Sequence, residues 1–191
     1  VGAYFDDTAG VGTGAAYVVF GEVGLSTAQV NLAALGTSGF RISGEAAYSY
    51  AGISVSTAGD LNGDGFDDFL VGAEGLNGPG GDYAGAAYVV FGGAGLAADI
   101  DLADVANGTG GFRLTGETGY DFAGASVSAA GDMNGDGFDD IVIGAPFEDT
   151  NGADAGAAYV VFGFEVLGDV TQLGTAANDT LTGTAGDDVM I

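Results

Sequence analysis

The feature that most constrains this chain is an internal repeat of 71 or 72 residues. The segment 14–21, GAAYVVFG, returns unchanged at 85–92 and at 156–163. A second segment, GFRISGE at 39–45, returns as GFRLTGE at 111–117. The stretches between these segments vary in length by a residue or two, as surface loops do. Such a chain folds as one structural unit that is made several times and stacked on itself.

Four segments of each unit have the sequence pattern of strands. In the middle unit they are 53–58, 69–72, 86–91 and 112–115. The third of these is apolar on both faces and therefore needs cover on both sides. Since no segment has the pattern of a long helix, the cover has to come from neighbouring sheets. We predict an all-β fold of four-stranded antiparallel sheets stacked by radial repetition, which is a β-propeller.

The number of strands is too small for a closed ring. The first unit supplies two predicted strands, the second four and the third three, which makes about two and a half blades. Even a four-bladed propeller needs about sixteen strands. Either the chain is a piece of a larger ring, which we favour, or several chains complete one ring by self-association.

The charge of the chain excludes several partners. It has 27 acidic residues and two basic ones, for a net charge of −25, which argues against nucleic acid and anionic membrane surfaces. No apolar run is long enough to insert into a membrane, and there is no cysteine for a disulfide framework. With 47% hydrophobic residues the chain can form a packed core, provided that a cation offsets the repulsion between its carboxylates.

Two acidic segments have the ligand pattern of a calcium loop. They are DLNGDGFDD at 60–68 and DMNGDGFDD at 132–140. Oxygen-bearing side chains stand at positions 1, 3, 5 and 9, a glycine stands at position 6 for the sharp turn, and the carbonyl at position 7 can point inward, much as at the start of an EF-hand loop. The predicted ligands are Asp60, Asn62, Asp64, Phe66 (carbonyl) and Asp68 in the first loop, and Asp132, Asn134, Asp136, Phe138 (carbonyl) and Asp140 in the second.

Calcium suits these loops better than other metals do. The ligands are all oxygen atoms, and there is no histidine, which disfavours zinc, while magnesium demands a stricter octahedron. The alternative is a hairpin turn that needs no metal, since Asp, Asn and Gly favour turns. Asp67 and Asp139, at position 8, are expected to face solvent. Further acids, in loops whose letters differ between copies, are expected to be solvated: Asp6, Asp7, Asp82, Asp149 and Asp154.

These segments resemble the FG-GAP repeats of integrin α-subunit propellers and their bacterial relatives. The similarity lies in 88–92, YVVFG, and in 143–146, IGAP, which follows the second acidic loop. It extends over roughly 1–163, although 1–4 and 71–74 lack the proline of the GAP motif. The resemblance implies a seven-bladed ring in the parent protein, with calcium bound in hairpin loops at the rim.

The pattern changes after Phe164, so we divide the chain into a propeller domain, 1–168, and a tail, 169–191. In the tail, glycine, aspartate and an apolar residue recur at a step of nine, as in Asp179 and Asp188. This is similar to the start of the RTX (repeats-in-toxin) nonapeptides, which implies a β-roll with these two aspartates as weaker calcium ligands. It also implies a bacterial protein exported by type I secretion. A flexible Gly/Thr linker is the alternative.

The remaining charged residues favour structural roles. Arg41 and Arg113 each precede a glutamate by four residues, Glu45 and Glu117, and are expected to form partly buried arginine–carboxylate clamps rather than to bind an anionic ligand. The tyrosines 17, 88 and 159 repeat in register and are expected to pack within the blades. The sequence has no His, Cys or Lys, the usual bases and nucleophiles, so we expect no catalytic activity.

Together these patterns predict a calcium-stabilised extracellular propeller module for adhesion, recognition or scaffolding in a large secreted bacterial protein. Its partner would be a protein or a glycan surface. Two alternatives stay open: a non-catalytic accessory domain of a secreted hydrolase or toxin, and a self-assembling surface structural protein.

Overall fold

A computed structural model of the chain describes residues 1–21 and 30–165. The predicted tail domain, 169–191, with its RTX-like repeats and with Asp179 and Asp188, lies outside the described residues.

The described residues form strands with almost no helix. The elements are β1 (Gly2–Ala3), β2 (Ala15–Val19), β3 (Gly39–Ser43), β4 (Ser54–Gly59), β5 (Asp68–Ala73), β6 (Ala86–Val90), β7 (Asp99–Asp101), α1 (Leu102–Ala106), β8 (Gly111–Thr115), β9 (Ser126–Gly131), β10 (Asp140–Ala145) and β11 (Ala157–Val161), with a 3-10 turn at Leu32–Ala34. The all-β class is confirmed, and the four strands predicted for the middle unit correspond to β4, β5, β6 and β8.

The strands form three sheets, one for each unit. Their strand orders are β1-β2-β3-β7, β4-β5-β6-β8 and β9-β10-β11. Neighbouring strands are antiparallel apart from β3 and β7, and corresponding strands have the same register, so that Val71 lies opposite Tyr88 and Ile143 lies opposite Tyr159. The first sheet has three strands of the unit rather than the two expected, because the two residues of β1 already pair with β2.

The core consists of two apolar layers between successive sheets. Alternate residues of β6 belong to different layers: Tyr88 and Val90 belong to the cluster shared with the first sheet, and Ala87 and Val89 to the cluster shared with the third. All five residues of β6 are buried. This confirms that a strand with two apolar faces is covered by the sheets on either side of it.

The outer face of the third sheet is open among the described residues. Val160 and Phe162 occupy the places that Val89 and Phe91 have in the second sheet, but they are 42% and 53% exposed. Met133 is 58% exposed, whereas its counterpart Leu61 is fully buried. In the first and second sheets, the corresponding face is covered by the next sheet along the chain.

Close approach of the sheets depends on glycine at Gly72. A Cβ atom built there would lie 2.0 Å from the carbonyl oxygen of Gly124, in the third sheet's leading segment, and 2.1 Å from Oγ of Ser54. The hydroxyl of Ser54 also donates to the carbonyl of Gly124 at 2.8 Å. The backbones of two units therefore touch at this point without any side chain between them.

We expect Gly72→Ala to lower the free energy of unfolding by about 2 kcal/mol or more, because backbone has to move to admit the methyl group. Urea denaturation measures it. Gly78→Ala is the matched control, since an added Cβ there meets nothing within 4 Å. Equal stability of the two variants would show that the sheets do not need this close approach.

Candidate metal sites

The first acidic loop joins β4 to β5 and folds around its own carboxylates. The two carboxylate oxygens of Asp60 accept hydrogen bonds from the amides of Asp64 and Gly65, both at 3.0 Å. Oδ1 of Asn62 accepts from the amide of Asp64 at 3.0 Å, and Oδ1 of Asp64 accepts from the amide of Phe66 at 2.9 Å. Positions 1, 3 and 5 are thereby brought together on the inside of the turn.

The second loop, between β9 and β10, has the same conformation. Asp132 accepts from the amides of Asp136, at 3.1 Å, and Gly137, at 3.0 Å, and Oδ1 of Asn134 accepts from the amide of Asp136 at 2.9 Å. The glycine at position 6 has a φ of 97° here, in the left-handed region that favours glycine. Nearly identical sequences thus give the same local loop in two different surroundings.

The aspartate at position 9 has a structural task that the sequence pattern did not indicate. Asp68 is fully buried, and its oxygens accept from the amides of Leu61, at 3.0 Å, and Gly92, at 2.8 Å. Asp140 is equally buried and accepts from Met133 and from Gly163, at 2.7 and 2.9 Å. Each of these carboxylates ties its acidic loop to the end of the third strand of its sheet.

The donor set fits a hard cation. It consists of carboxylate, amide and carbonyl oxygens, and an ionised carboxylate oxygen that accepts one amide can still bind a second partner. Among the described residues, however, no three acidic side chains are gathered as closely as a metal site requires. Calcium binding would therefore need the carboxylates at positions 1, 5 and 9 to converge from the arrangement seen here.

The electrostatics of the first loop also favour a cation. Burial raises the pKa of Asp68 to about 6, the amides of Gly92 and Leu61 act in the opposite direction, and the carboxylates of Asp64 and Asp60 raise it further. The ionised form is thus opposed by desolvation and by like charges. A positive ion in the loop would offset both effects.

The two loops differ in what covers them. The first lies against the third sheet: the amide of Phe164 donates to the carbonyl of Leu61 at 2.8 Å, and the amide of Asp60 donates to Oδ2 of Asp139 at 3.1 Å. The expectation that Asp139 faces solvent is therefore wrong, whereas Asp67 is exposed. Position 8 of one loop contacts the loop of the preceding unit, a contact that arises from stacking and leaves no trace in the local pattern.

The arginine clamps form, but with carboxylates other than the glutamates four residues later. Nη1 of Arg113 lies 2.6 and 2.7 Å from the two carboxylate oxygens of Glu45, in the preceding unit. Arg41 is closest to Asp6, at 3.5 Å, and to Asp99, at 3.6 Å. Asp6, which we expected to be solvated, is therefore part of a clamp. The in-register tyrosines could have indicated which carboxylates form the clamps, because the tyrosine hydroxyl groups donate to the same carboxylates.

Comparison with known proteins shows which repeat this is. The family model for the FG-GAP repeat matches residues 51–90 and 123–161, which include both acidic loops. The chain is 36% identical over 121 residues to phosphatidylinositol-glycan-specific phospholipase D of Dictyostelium discoideum, and 38% identical over 128 residues to integrin alpha-5 of Xenopus laevis. These alignments cover 59% and 65% of this chain.

The chain spans only a small part of these relatives, 12% of the phospholipase and 11% of the integrin. It is also 38% identical over 107 residues to human integrin alpha-7, with 56% of this chain and 8% of that protein covered. FG-GAP repeats are therefore present, and the predicted fold class, blades of a β-propeller, is confirmed. No helix in the described part of the chain is both long and apolar enough to cross a bilayer.

We expect Asp68→Ala to destabilise the protein by about 2 kcal/mol even in chelator, because two buried amides lose their acceptor. Chemical denaturation in the presence of EDTA measures it, with Asp67→Ala as the exposed neighbour that should change stability little. If Asp68→Ala and the parent are equally stable without metal, Asp68 has no structural role apart from ion binding.

Proposed function

We propose that this chain is a calcium-stabilised, non-catalytic propeller module of an extracellular protein, serving adhesion, recognition or scaffolding. The observation that carries the proposal is the repetition of one loop conformation, with oxygen-only donors, at the same place in two units. A turn needed only for chain reversal does not require three carboxylates, which repel one another.

In this proposal each loop holds one ion through positions 1, 3, 5 and 9 and the carbonyl at position 7. The ion supplies positive charge that offsets the repulsion within the loop and links β4 to β5, or β9 to β10. Exposed positions such as Asp64 and Asp136 would contribute to ion binding without contributing to the core. The ion would thus stabilise each blade from its rim.

An extracellular location agrees with the charge of the chain. At −25 the chain repels itself when no cation is bound, and extracellular calcium modules bind the ion with dissociation constants of about 10⁻⁴ to 10⁻³ M. Secretion by a bacterium is the further part of this proposal, and it rests on the similarity of residues 174–191 to RTX nonapeptides.

The adhesion role is proposed from the FG-GAP repeats that the chain shares with proteins named integrin alpha. The absence of His, Cys and Lys from the sequence supports a non-catalytic module. A protein or glycan surface as partner belongs to the adhesion role and rests on the same shared repeats. The second candidate, an accessory domain of a secreted hydrolase, is favoured by the similarity to phosphatidylinositol-glycan-specific phospholipase D.

We expect calcium to raise the melting temperature, with two ions bound per chain by the two loops. An ion that binds the folded state alone stabilises by about 2.7 kcal/mol per site when its concentration is 100 times its dissociation constant. Thermal melts across a calcium titration, with magnesium and chelator controls and with bound calcium counted, measure this. A melting temperature independent of calcium would contradict the proposal.

We expect Asp64→Ala to abolish calcium binding by the first loop only, and Asp136→Ala by the second only. Both residues are exposed, so their stability in chelator should change by less than about 0.5 kcal/mol. Calorimetry should then count one ion fewer in each variant. Asp67→Ala removes the same charge and should keep both ions; loss of an ion from that variant instead would show that overall charge, not ligation, sets the affinity.

A further inference from the structure

The second acidic loop, 132–140, holds the backbone of the first loop, 60–68, at its first residue. Oδ2 of Asp139 accepts a hydrogen bond from the amide of Asp60 at 3.1 Å, and the amide of Asp139 donates to the carbonyl of Asp60 at 3.4 Å. Both main-chain polar groups of Asp60 are therefore bound by one residue of the next unit. Asp60 occupies position 1 of its loop, and its carboxylate is a ligand in the proposed function.

The glycine before the first loop makes room for this contact. A Cβ atom built at Gly59 would overlap Oδ2 of Asp139, whereas one built at Gly131, the corresponding glycine before the second loop, meets nothing within 4 Å. The two glycines have nearly the same backbone, with φ values of 70° and 66°. The close approach of Asp139 is thus a property of the interface between the loops and not of the loop conformation itself.

Two further contacts join the first loop to the next unit. The ring of Phe138 lies against the backbone of Gly63, where an added Cβ would be 2.5 Å from the ring atom Cε1. The amide of Phe164 donates to the carbonyl of Leu61 at 2.8 Å. Positions 1, 2 and 4 of the first loop are therefore all in contact with residues that lie in or just beyond the second loop's own sheet.

The residues that make these contacts are neighbours of the proposed ligands in the second loop. Asp139 lies between Phe138, whose carbonyl is position 7, and Asp140, whose carboxylate is position 9. Asp140 is fully buried and accepts from the amide of Gly163 at 2.9 Å, next to the phenylalanine that binds the first loop. Fixing positions 7 and 9 for ion binding therefore restricts Asp139, and through it the first residue of the other loop.

This restriction has an energetic consequence for both loops. The carboxylates at positions 1, 5 and 9 have to converge for an ion to bind, and the loss of conformational freedom opposes that step. A loop whose neighbour is already ordered loses less freedom when it binds. Repulsion between two bound ions acts in the opposite direction, but it is reduced by the carboxylate of Asp139 at the contact and by salt, which screens exposed charges beyond about 8 Å.

We propose that the two loops bind calcium cooperatively and that Asp139 is the positioning residue that couples them. This proposal rests on the proposed function, in which each loop holds one ion. Asp139 is not a ligand in this arrangement, since its oxygen accepts from Asp60 and aligns position 1 of the first loop. By linkage, each loop raises the affinity of the other by the same factor. The module then responds to calcium over a narrower concentration range than two independent sites would.

The test measures calcium binding to the full chain by isothermal titration calorimetry at physiological ionic strength. Asp136→Ala leaves only the first loop to bind, and Asp64→Ala leaves only the second. For independent loops, the overall association constant of the parent for two ions equals the product of the two single-loop constants. We expect the parent constant to exceed that product by about ten-fold, within the range of about 5- to 150-fold that is typical of coupled sites.

Substitutions of Asp139 in the parent and in both single-loop variants complete the cycle. Asp139→Ala should remove the excess. Asp139→Asn keeps an oxygen that can accept from Asp60 and should retain most of it. Asp67→Ala removes the same charge from the exposed position 8 of the first loop and, as the matched control, should leave the excess unchanged.

A second pair of variants tests the contact without changing a carboxylate. Gly59→Ala displaces the side chain of Asp139 and should remove the excess. Gly131→Ala introduces the same positive-φ strain without meeting a neighbour and should keep it. Circular dichroism in chelator checks that both variants are folded, and the Asp139 variants decide the question by themselves if Gly59→Ala is not.

The outcomes separate this proposal from the one on which it rests. If the parent binds two ions with an overall constant equal to the product of the single-loop constants, or below it, the coupling is overturned and the proposed function stands. An excess that persists in Asp139→Ala would overturn the role of Asp139. Equal loss in Asp139→Asn and Asp139→Ala would show that charge, and not the hydrogen bond to Asp60, carries the coupling. A parent that binds no calcium would contradict the proposed function itself.

Discussion

The structure depends on sheets that pack against one another through both faces of a single strand. β6 is buried along its whole length because its alternate residues belong to two different apolar layers. At Gly72 the backbones of neighbouring units approach so closely that even a methyl group has no room. A unit of this kind cannot be stable alone, since each sheet has an apolar face that only the next sheet covers. The exposed face of the third sheet has the same origin.

A second constraint is the excess of negative charge. The fold accommodates its carboxylates in three ways. Asp68 and Asp140 are buried and accept hydrogen bonds from backbone amides. Glu45 and Asp6 are paired with the two arginines and with tyrosine hydroxyl groups. Asp64, Asp67 and Asp136 of the acidic loops are exposed to solvent.

The two acidic loops lie at hairpins, one between β4 and β5 and the other between β9 and β10. In the proposed function these hairpins hold the ions, so that the ligands lie at the rim of a repetitive core. The two loops are copies of one element in different surroundings, and so each can be compared with the other within one structure.

The sequence by itself determined the repeat, the strands of the middle unit, the all-β class and the local conformation of both acidic loops. These follow from short-range patterns: alternation of apolar residues, glycine where φ is positive, and Asx side chains that bind amides two or more residues on. Only the tertiary structure decided that Asp139 contacts the preceding loop, that Arg113 binds Glu45 and not Glu117, and that Asp6 is part of a clamp. The physical reason is that Asp139 and Arg113 meet their partners through the stacking of one unit on the next, at separations of 79 and 68 residues, whereas Asp6 meets Arg41 across the strands of the first sheet, 35 residues apart. A local pattern shows that an arginine needs a carboxylate, but the offset between stacked sheets selects which carboxylate it reaches.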